Sequence, residues 1–498
     1  LVENFPFFSI FLPIFAAIFC MLWHERYAWH FTLGSTAITL LLSLATLNYI
    51  YSNALSVTYL MGHFPAPFGN EIRFGALEAF MASLFSGISL LTMWGGTATV
   101  RCDIHPSKLR FYYLMENLLL AGLLAIIYSN DIFTTFVFIE IATIAACSLV
   151  SAGENGRSLL ASFVYLAMSL LGSGLLLLAI SILYSITGHL LFAGLAESIA
   201  SLVATGSYTL PLAVLSALTI AGLSIKSAIF PFHGWLPEAY SSATTPTSAL
   251  LAGIVTKTYL VFLLKLICRV FGRAYWASML LSRIFLACGV MAILYGSLQA
   301  MRQRDLKQTL SYASISQIGY ISVALGVGTI PALVAACFQM VSHALSKSML
   351  FMATAGLAEA SQGETSYKTL RGAARRNPVA AAAFVVGALS LVGIPPLPGF
   401  MAKLYLAQSA LASPEGWLVV PVILLGTVLG AMYYLPALAT LFGSDTAAWS
   451  DRESAEGDKS PPALLPASLG VFISLTVLLG FFAPQVWQIL EQGIINLH

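Results

Sequence analysis

Charge is what this sequence lacks. Of its 498 residues, 9% are Asp, Glu, Lys or Arg, against 58% hydrophobic, and the mean hydropathy is +0.87. A soluble domain carries about 25% charged residues, so a soluble enzyme is excluded and the chain reads as a polytopic membrane protein. The formal net charge of +2 offers no basic surface for nucleic acid. Cysteine pairing is missing too. Cys20, Cys102, Cys147, Cys268, Cys288 and Cys337 stand singly, with no C-x-x-C, which argues against iron–sulfur or structural zinc ligation. There is no glycine-rich loop for a dinucleotide or a phosphate. No cofactor is therefore expected in this chain, and any redox cofactor coupled to it belongs on a partner. The first apolar run, Phe5–Trp23, has no basic stretch before it and no cleavage site after it, so it reads as a transmembrane helix and not a signal peptide.

What is present is a long series of apolar runs. A bilayer span needs about 20 mostly apolar residues, and about fourteen runs meet that need: 5–23, 30–51, 75–100, 109–129, 131–151, 158–187, 209–230, 242–268, 278–301, 309–328, 331–358, 379–410, 416–442 and 463–490. The expected fold class is all-α and polytopic. The segment 52–74, with Pro65, Pro67, Gly69, Glu71 and Arg73, is expected to be ordered outside the membrane, and the acidic stretch 443–462 to be a surface loop. Placing the N-terminus outside puts fourteen Lys and Arg residues, Lys307 among them, in cytoplasmic loops. Only Arg73, Lys265, Arg269, Arg273 and Arg283 then fall outside. That asymmetry is the positive-inside pattern, so a cell membrane location with both termini outside is expected. Trp23, Trp29, Trp94 and Trp235 fall near span ends, where interfacial anchoring accounts for them.

Against this apolar background Lys226, Lys257, Lys347 and Lys403 lie inside spans, and Glu140 lies in the run DIFTTFVFIEIATIAACSLV. An ionisable side chain at membrane depth costs at least about 2.5 kcal/mol and is rare without a function. Burial disfavours a charged group and a neighbouring opposite charge restores it, which is the combination a proton relay needs. Two spans carry helix-breaking prolines: LSIKSAIFPFHGWLPEAY, with Pro231 and Pro237, and LVGIPPLPGFMAKLYLAQ, with Pro395, Pro396 and Pro398. Each break lies close to a lysine, Lys226 or Lys403. Interrupted helices at corresponding places in two halves point to inverted repeats and a mid-membrane site. His343 and Lys347, four residues apart, share one helix face and are expected to point inward. His233 follows the first break. Glu78 reads as opening the third helix at the interface and Glu116 as facing a neighbouring subunit.

The run from Lys226 to Glu238, followed by TTPTSALLAGIVTK ending at Lys257, resembles the antiporter-like membrane subunits of respiratory complex I. It is similar also to their relatives in energy-converting membrane-bound hydrogenases and multi-subunit Na+/H+ antiporters, those of the antiporter D type among them. RDLKQTLSYASISQIGY (Arg304–Tyr320), SHALSKSMLF (Ser342–Phe351) and GIPPLPGFMAK (Gly393–Lys403) fit the same family. The resemblance implies fourteen helices, with N-terminal helices over 1–108, one five-helix repeat over 109–271, its inverted copy over 272–442, and a loop and last helix over 443–498. Helices seven and twelve would be the broken ones. It implies a relay of Glu140, Lys226, Lys257, His343 and Lys403, with Lys347 and His233 as further candidates. Lysine at 403, where one complex I subunit has glutamate, and the lack of a long lateral helix favour a hydrogenase-like or antiporter-D-like member.

The function expected from this is translocation of protons, or of protons coupled to sodium, as a non-redox subunit of a redox-driven complex. The partners would be other membrane subunits, homologous antiporter-like ones or small ones, and a peripheral redox arm. Two alternatives stay open: a secondary Na+/H+ antiporter with no redox partner, and a scaffold or a subunit coupled to inorganic-carbon uptake.

Overall fold

The computed structural model describes residues 2–64, 69–153, 155–278, 280–444 and 464–497. The apolar runs become helices because a backbone in hydrocarbon has no water to bond and must satisfy its own N–H and C=O groups. Twelve helices among the described residues are long and apolar enough to cross a membrane. Apart from the short helices Arg273–Ser278 and Ala373–Arg376, the α-helices in chain order are α1 (Phe5–Leu22), α2 (Glu25–Asn53), α3 (Ala76–Asp103), α4 (Leu109–Tyr128), α5 (Ile132–Ser151), α6 (Gly156–Thr187), α7 (Phe192–Thr205), α8 (Thr209–Lys226) and α9 (Leu236–Ser242). They continue with α10 (Thr245–Phe271), α11 (Leu280–Arg302), α12 (Leu306–Val327), α13 (Ile330–Glu359), α14 (Pro378–Val392), α15 (Pro398–Leu411), α16 (Gly416–Leu441), α17 (Leu464–Phe481) and α18 (Ala483–Ile495). Most of the stretch expected as an acidic loop, 445–462, lies outside the described residues, as do Pro65 and Pro67.

The core is built on α3, α10, α12 and α13. Every described side chain from Thr245 to Phe271 is buried, and α13 is buried from Ala332 to Ala358. Large apolar side chains point outward from the peripheral helices, with Phe163 68% exposed on α6 and Leu424 64% exposed on α16; such faces suit lipid or a neighbouring helix. Helices α11 and α12 touch backbone to backbone. A Cβ at Gly319 would meet the Gly289 carbonyl at 2.8 Å, and one at Gly289 the Gly319 carbonyl at 2.7 Å. Small residues permit such close approach where no hydrophobic effect draws helices together.

The structure departs from the sequence expectations at several places. The run 463–490 is not one span: it turns at Phe482, with Pro484 in the first turn of α18, where the missing N–H does no harm. Between α6 and α8 stands the short helix α7, and the segment 52–74 contains a two-stranded antiparallel hairpin, Val57–Leu60 with Glu71–Phe74, so the chain is not purely helical. Trp235 is no interface anchor. It is 1% exposed, stacks on Tyr165 at 4.2 Å and donates from its indole N–H to the Ile225 carbonyl at 3.0 Å. Lys265, Arg269 and Lys307 are buried and not solvated loop residues; setting them aside leaves the charge asymmetry standing.

Candidate functional site

The expected break after Lys226 is present. α8 ends at Lys226, and the chain runs through Pro231 before helix resumes in α9. Proline removes a donor and clashes with the preceding turn, so the helical ladder opens here. Lys226, 1% exposed, sits at that opening. Its Nζ lies 3.2 Å from Glu140 Oε1 and donates to Thr143 Oγ1 at 2.7 Å, while Glu140 also accepts from the Ser173 hydroxyl. α5, α6 and α8 thus each contribute to one ion pair. The lysine is sealed, whereas the Glu140 side chain keeps 25% exposure.

The second break repeats the arrangement in different residues. α14 ends at Gly393, whose φ of 99° is open to glycine without strain. Five residues later α15 begins at Pro398. Lys403, 6% exposed, reaches back across the gap and donates to the carbonyls of Leu391 at 3.1 Å and Val392 at 2.7 Å, and to Thr427 Oγ1 at 3.2 Å. Its ammonium also faces the Tyr320 ring, 5.1 Å from the centroid. These are terminal carbonyls of α14, which the helix itself cannot satisfy.

Lys257 occupies a third irregularity. α10 contains two π-helical turns, Leu251–Val255 and Leu266–Phe271, a form often found at functional sites. Lys257 follows the first turn and donates to the Ala252 carbonyl and, at 3.4 Å, to Thr256 Oγ1. Three buried lysines therefore sit where the helical ladder is interrupted, and two of them are held by backbone carbonyls with no carboxylate in contact among the described residues.

On α13, His343 and Lys347 are both fully buried, as their spacing requires. Their partners differ. Lys347 donates to the Leu310 carbonyl at 2.6 Å and to the Tyr434 hydroxyl at 3.3 Å, whereas neither ring nitrogen of His343 has a hydrogen-bond partner among the described residues. His233 stacks on Phe230 at a centroid distance of 5.2 Å and meets the tilted ring of Tyr295 at 4.7 Å, and its Nδ1 likewise has no partner among the described residues. That nitrogen does not satisfy the carbonyls freed at the first break.

Sequence reasoning missed a second buried ion pair. Lys265 Nζ lies 3.8 Å from Glu78 Oε1 and donates to the carbonyls of Ile127 and Ser129, the latter at 3.1 Å. Glu78 Oε2 accepts from the Gly75 N–H at 3.0 Å and caps α3. The pair ties together three helix ends. The signal was its spacing, since Lys265 follows Lys257 by two turns on one helix face. Glu116 also departs from expectation, being 2% exposed within the chain instead of facing outward.

This set of helices and motifs matches a family. The profile described as "NADH:quinone oxidoreductase/Mrp antiporter, TM" matches residues 129–430. The chain belongs to this family. Among curated relatives, the NADH-quinone oxidoreductase subunit N of Desulforudis audaxviator is 33% identical over 441 residues, covering 86% of this chain and 85% of that one. The D-type subunit of the Na+/H+ antiporter of Alkalihalophilus pseudofirmus is 27% identical over 491 residues, covering 98% and 95%. Among solved structures, a chain of the membrane-bound sulfane sulfur reductase, an archaeal respiratory membrane complex, superposes with a TM-score of 0.86 at 25% identity, covering 100% of this chain and 97% of that one. A chain of the Mrp complex from Dietzia sp. DQ12-45-1b gives 0.87 at 22% identity, a likeness of fold.

The protein is thus an antiporter-like, ion-translocating membrane subunit, of the kind found in complex I-type and Mrp assemblies. Its relatives fall on both sides of the subtype distinction expected from Lys403. Among the described residues no group of three or more His, Cys, Asp or Glu side chains gathers as for a metal ion.

Proposed function

We propose that this chain moves protons across the membrane through Glu140, Lys226, Lys257, His343 and Lys403, as a subunit of a redox-driven complex. The observation that carries the reading is the placement of Lys226, Lys257 and Lys403 at interruptions of their helices. A carbonyl-held ammonium can lose its proton without stranding a buried carboxylate. The Glu140–Lys226 pair acts as the switch. At an effective dielectric of about 20, unit charges about 4 Å apart attract by on the order of 4 kcal/mol, so drawing Glu140 away is enough to release the Lys226 proton. The proton passes to Lys257 and, by way of His343, to Lys403. Lys347 and His233 are further candidates for this route.

In this reading α13 and the α14–α15 pair cross the bilayer with the twelve long apolar helices, giving fourteen spans, ten of them in two inverted five-helix repeats over 109–271 and 272–442. The likeness to a chain of an archaeal respiratory complex and the 33% identity to a quinone oxidoreductase subunit support redox coupling. The 98% coverage by a D-type antiporter relative favours a second reading, a secondary Na+/H+ antiporter. Partners follow accordingly: membrane subunits in both cases, a peripheral redox arm in the first.

The test is to purify the complex, identify its subunits and follow internal pH in proteoliposomes. Redox subunits should co-purify, and proton uptake should start only when their electron donor is added. Proton movement driven by a sodium gradient alone, with no redox subunit present, would overturn the redox-driven reading in favour of the second.

Both termini lie outside in this reading, in the cell membrane. Cys102 is an exposed cysteine at the end of α3, whereas Cys20, Cys147, Cys268 and Cys337 are buried. A membrane-impermeant maleimide should label it in inside-out vesicles and not in intact cells. Labelling in intact cells would invert the topology.

A further inference from the structure

In the relay proposed above Lys226, Lys257, His343 and Lys403 are buried, and only the Glu140 side chain keeps part of its exposure. One of the surface cavities reaches the start of α10. It has a volume of about 520 Å³ and opens on the face where α3 and α13 end and α10 and α12 begin. Asp103, Lys307, Glu359 and Thr244 line it, so charged groups of both signs meet water there. Lys307 is held in its lining, with Nζ donating to the Ala243 carbonyl at 2.5 Å.

From the cavity a chain of hydroxyls leads inward. Thr244 Oγ1 donates to Thr247 Oγ1 at 2.9 Å, and Thr247 Oγ1 lies 3.1 Å from the Tyr112 hydroxyl. Thr244 is 4% exposed, and Thr247 and Tyr112 are at most 1% exposed. One helical turn along α4 from Tyr112, on the same face, stands Glu116. Its carboxylate is buried, and neither oxygen has a hydrogen-bond partner among the described residues. Burying a carboxyl with no partner is costly, which a purely structural side chain would not explain.

Glu116 also lies at the right depth. The Tyr112–Thr247 contact and the bond from Lys265 to the Ile127 carbonyl show α4 and α10 running side by side in the same direction. That register puts Glu116 level with the π turn Leu251–Val255, which contains Ala252, the residue whose carbonyl holds Lys257.

We propose that the cavity is the proton intake of the first half and that Glu116 is its first buried acceptor. This rests on the relay reading. A proton from cavity water passes along Thr244, Thr247 and Tyr112, each hydroxyl accepting one proton as it donates another, and crosses through water from Tyr112 to protonate the Glu116 carboxylate. The resulting carboxylic acid gives that proton through water to the neutral amine of Lys257 and returns to carboxylate. The titratable neighbours of Glu116 are Cys20 from α1 and Tyr112 and Tyr113 from α4, with Arg101 of α3 beyond Tyr113. From α2, Thr32 and Ser35 bond Asn117 instead.

The test uses the assembled complex in inside-out vesicles, with transport followed as a function of the pH on the cavity side. Glu116→Gln should slow transport on the order of 100-fold near neutral pH, within the range general for a positioned proton-transfer group, and acidification should recover part of the rate. Tyr112→Phe should shift the same profile in the same direction. If Glu116→Gln fails to assemble, Tyr112→Phe and Thr247→Val decide. Wild-type rates at every pH, or a loss with an unchanged pH profile, would overturn the intake. Loss of transport in Lys226→Met beside normal Glu116→Gln sinks the intake alone; normal transport in Lys226→Met sinks the relay and the intake with it.

Discussion

Transport is expected to stop in Glu140→Gln while the complex still assembles. The substitution keeps the shape of the side chain and its contact with Ser173 but removes the charge that Lys226 faces at 3.2 Å. Lys226 retains Thr143 as an acceptor at 2.7 Å. Glu140 is partly exposed, so no charge is left buried by its loss beyond the lysine itself. A rate loss on the order of 100-fold or more is expected for a group that governs a proton transfer, and Lys226→Met should match it. The two variants differ in stability. Removing one partner of a buried pair costs about 3–5 kcal/mol when it strands the other charge, and the Glu140 exposure spares Lys226→Met most of that. Proton uptake in proteoliposomes, normalised to assembled complex, measures both. An assembled Glu140→Gln protein that pumps normally would remove the pair from the mechanism.

Lys403→Arg should be as inactive as Lys403→Ala, which separates a relay residue from a helix clamp. Guanidinium does not deprotonate in proteins and would hold its charge through the cycle. The Leu391 and Val392 carbonyls would still find donors, so the break between α14 and α15 should remain closed and the protein stable. Lys403→Glu should keep part of the activity, because a carboxylate loads and releases a proton. A Lys403 that merely clamps the break would give the reverse order: arginine tolerated, and glutamate worst, since it would set an anion against two carbonyl oxygens. Transport at matched expression for the three variants decides. Near-normal transport by Lys403→Arg would rule out a relay spanning both halves.

How much was legible beforehand depends on the kind of signal. The helices were, because hydrocarbon admits few alternatives to a self-bonded backbone and the apolar runs are long. The breaks at Pro231 and Pro395–Pro398 were legible for a covalent reason, as proline has no N–H to give. Glu140 and the lysines stood out through contrast with their neighbours. The amphipathic helix α18 was obscured because its apolar face extends the run of α17. Lys265 and Arg269 were hidden by proximity to a span end, where a basic residue ordinarily reaches water.

Sequence alone determined that this is a membrane protein of many helices, where two of them break, and to which family it belongs, since those properties follow from hydropathy, proline and ordered motifs along the chain. Only the tertiary structure decided which groups touch. It brought Glu140 to Lys226 across α5 and α8, gave Lys403 the carbonyls of α14, tied Lys265 to Glu78, and left Glu116 and His343 without partners among the described residues. The reason is geometric. A hydrogen bond or ion pair between helices depends on rotation and depth to within an ångström or so, and no local pattern in a sequence carries that information.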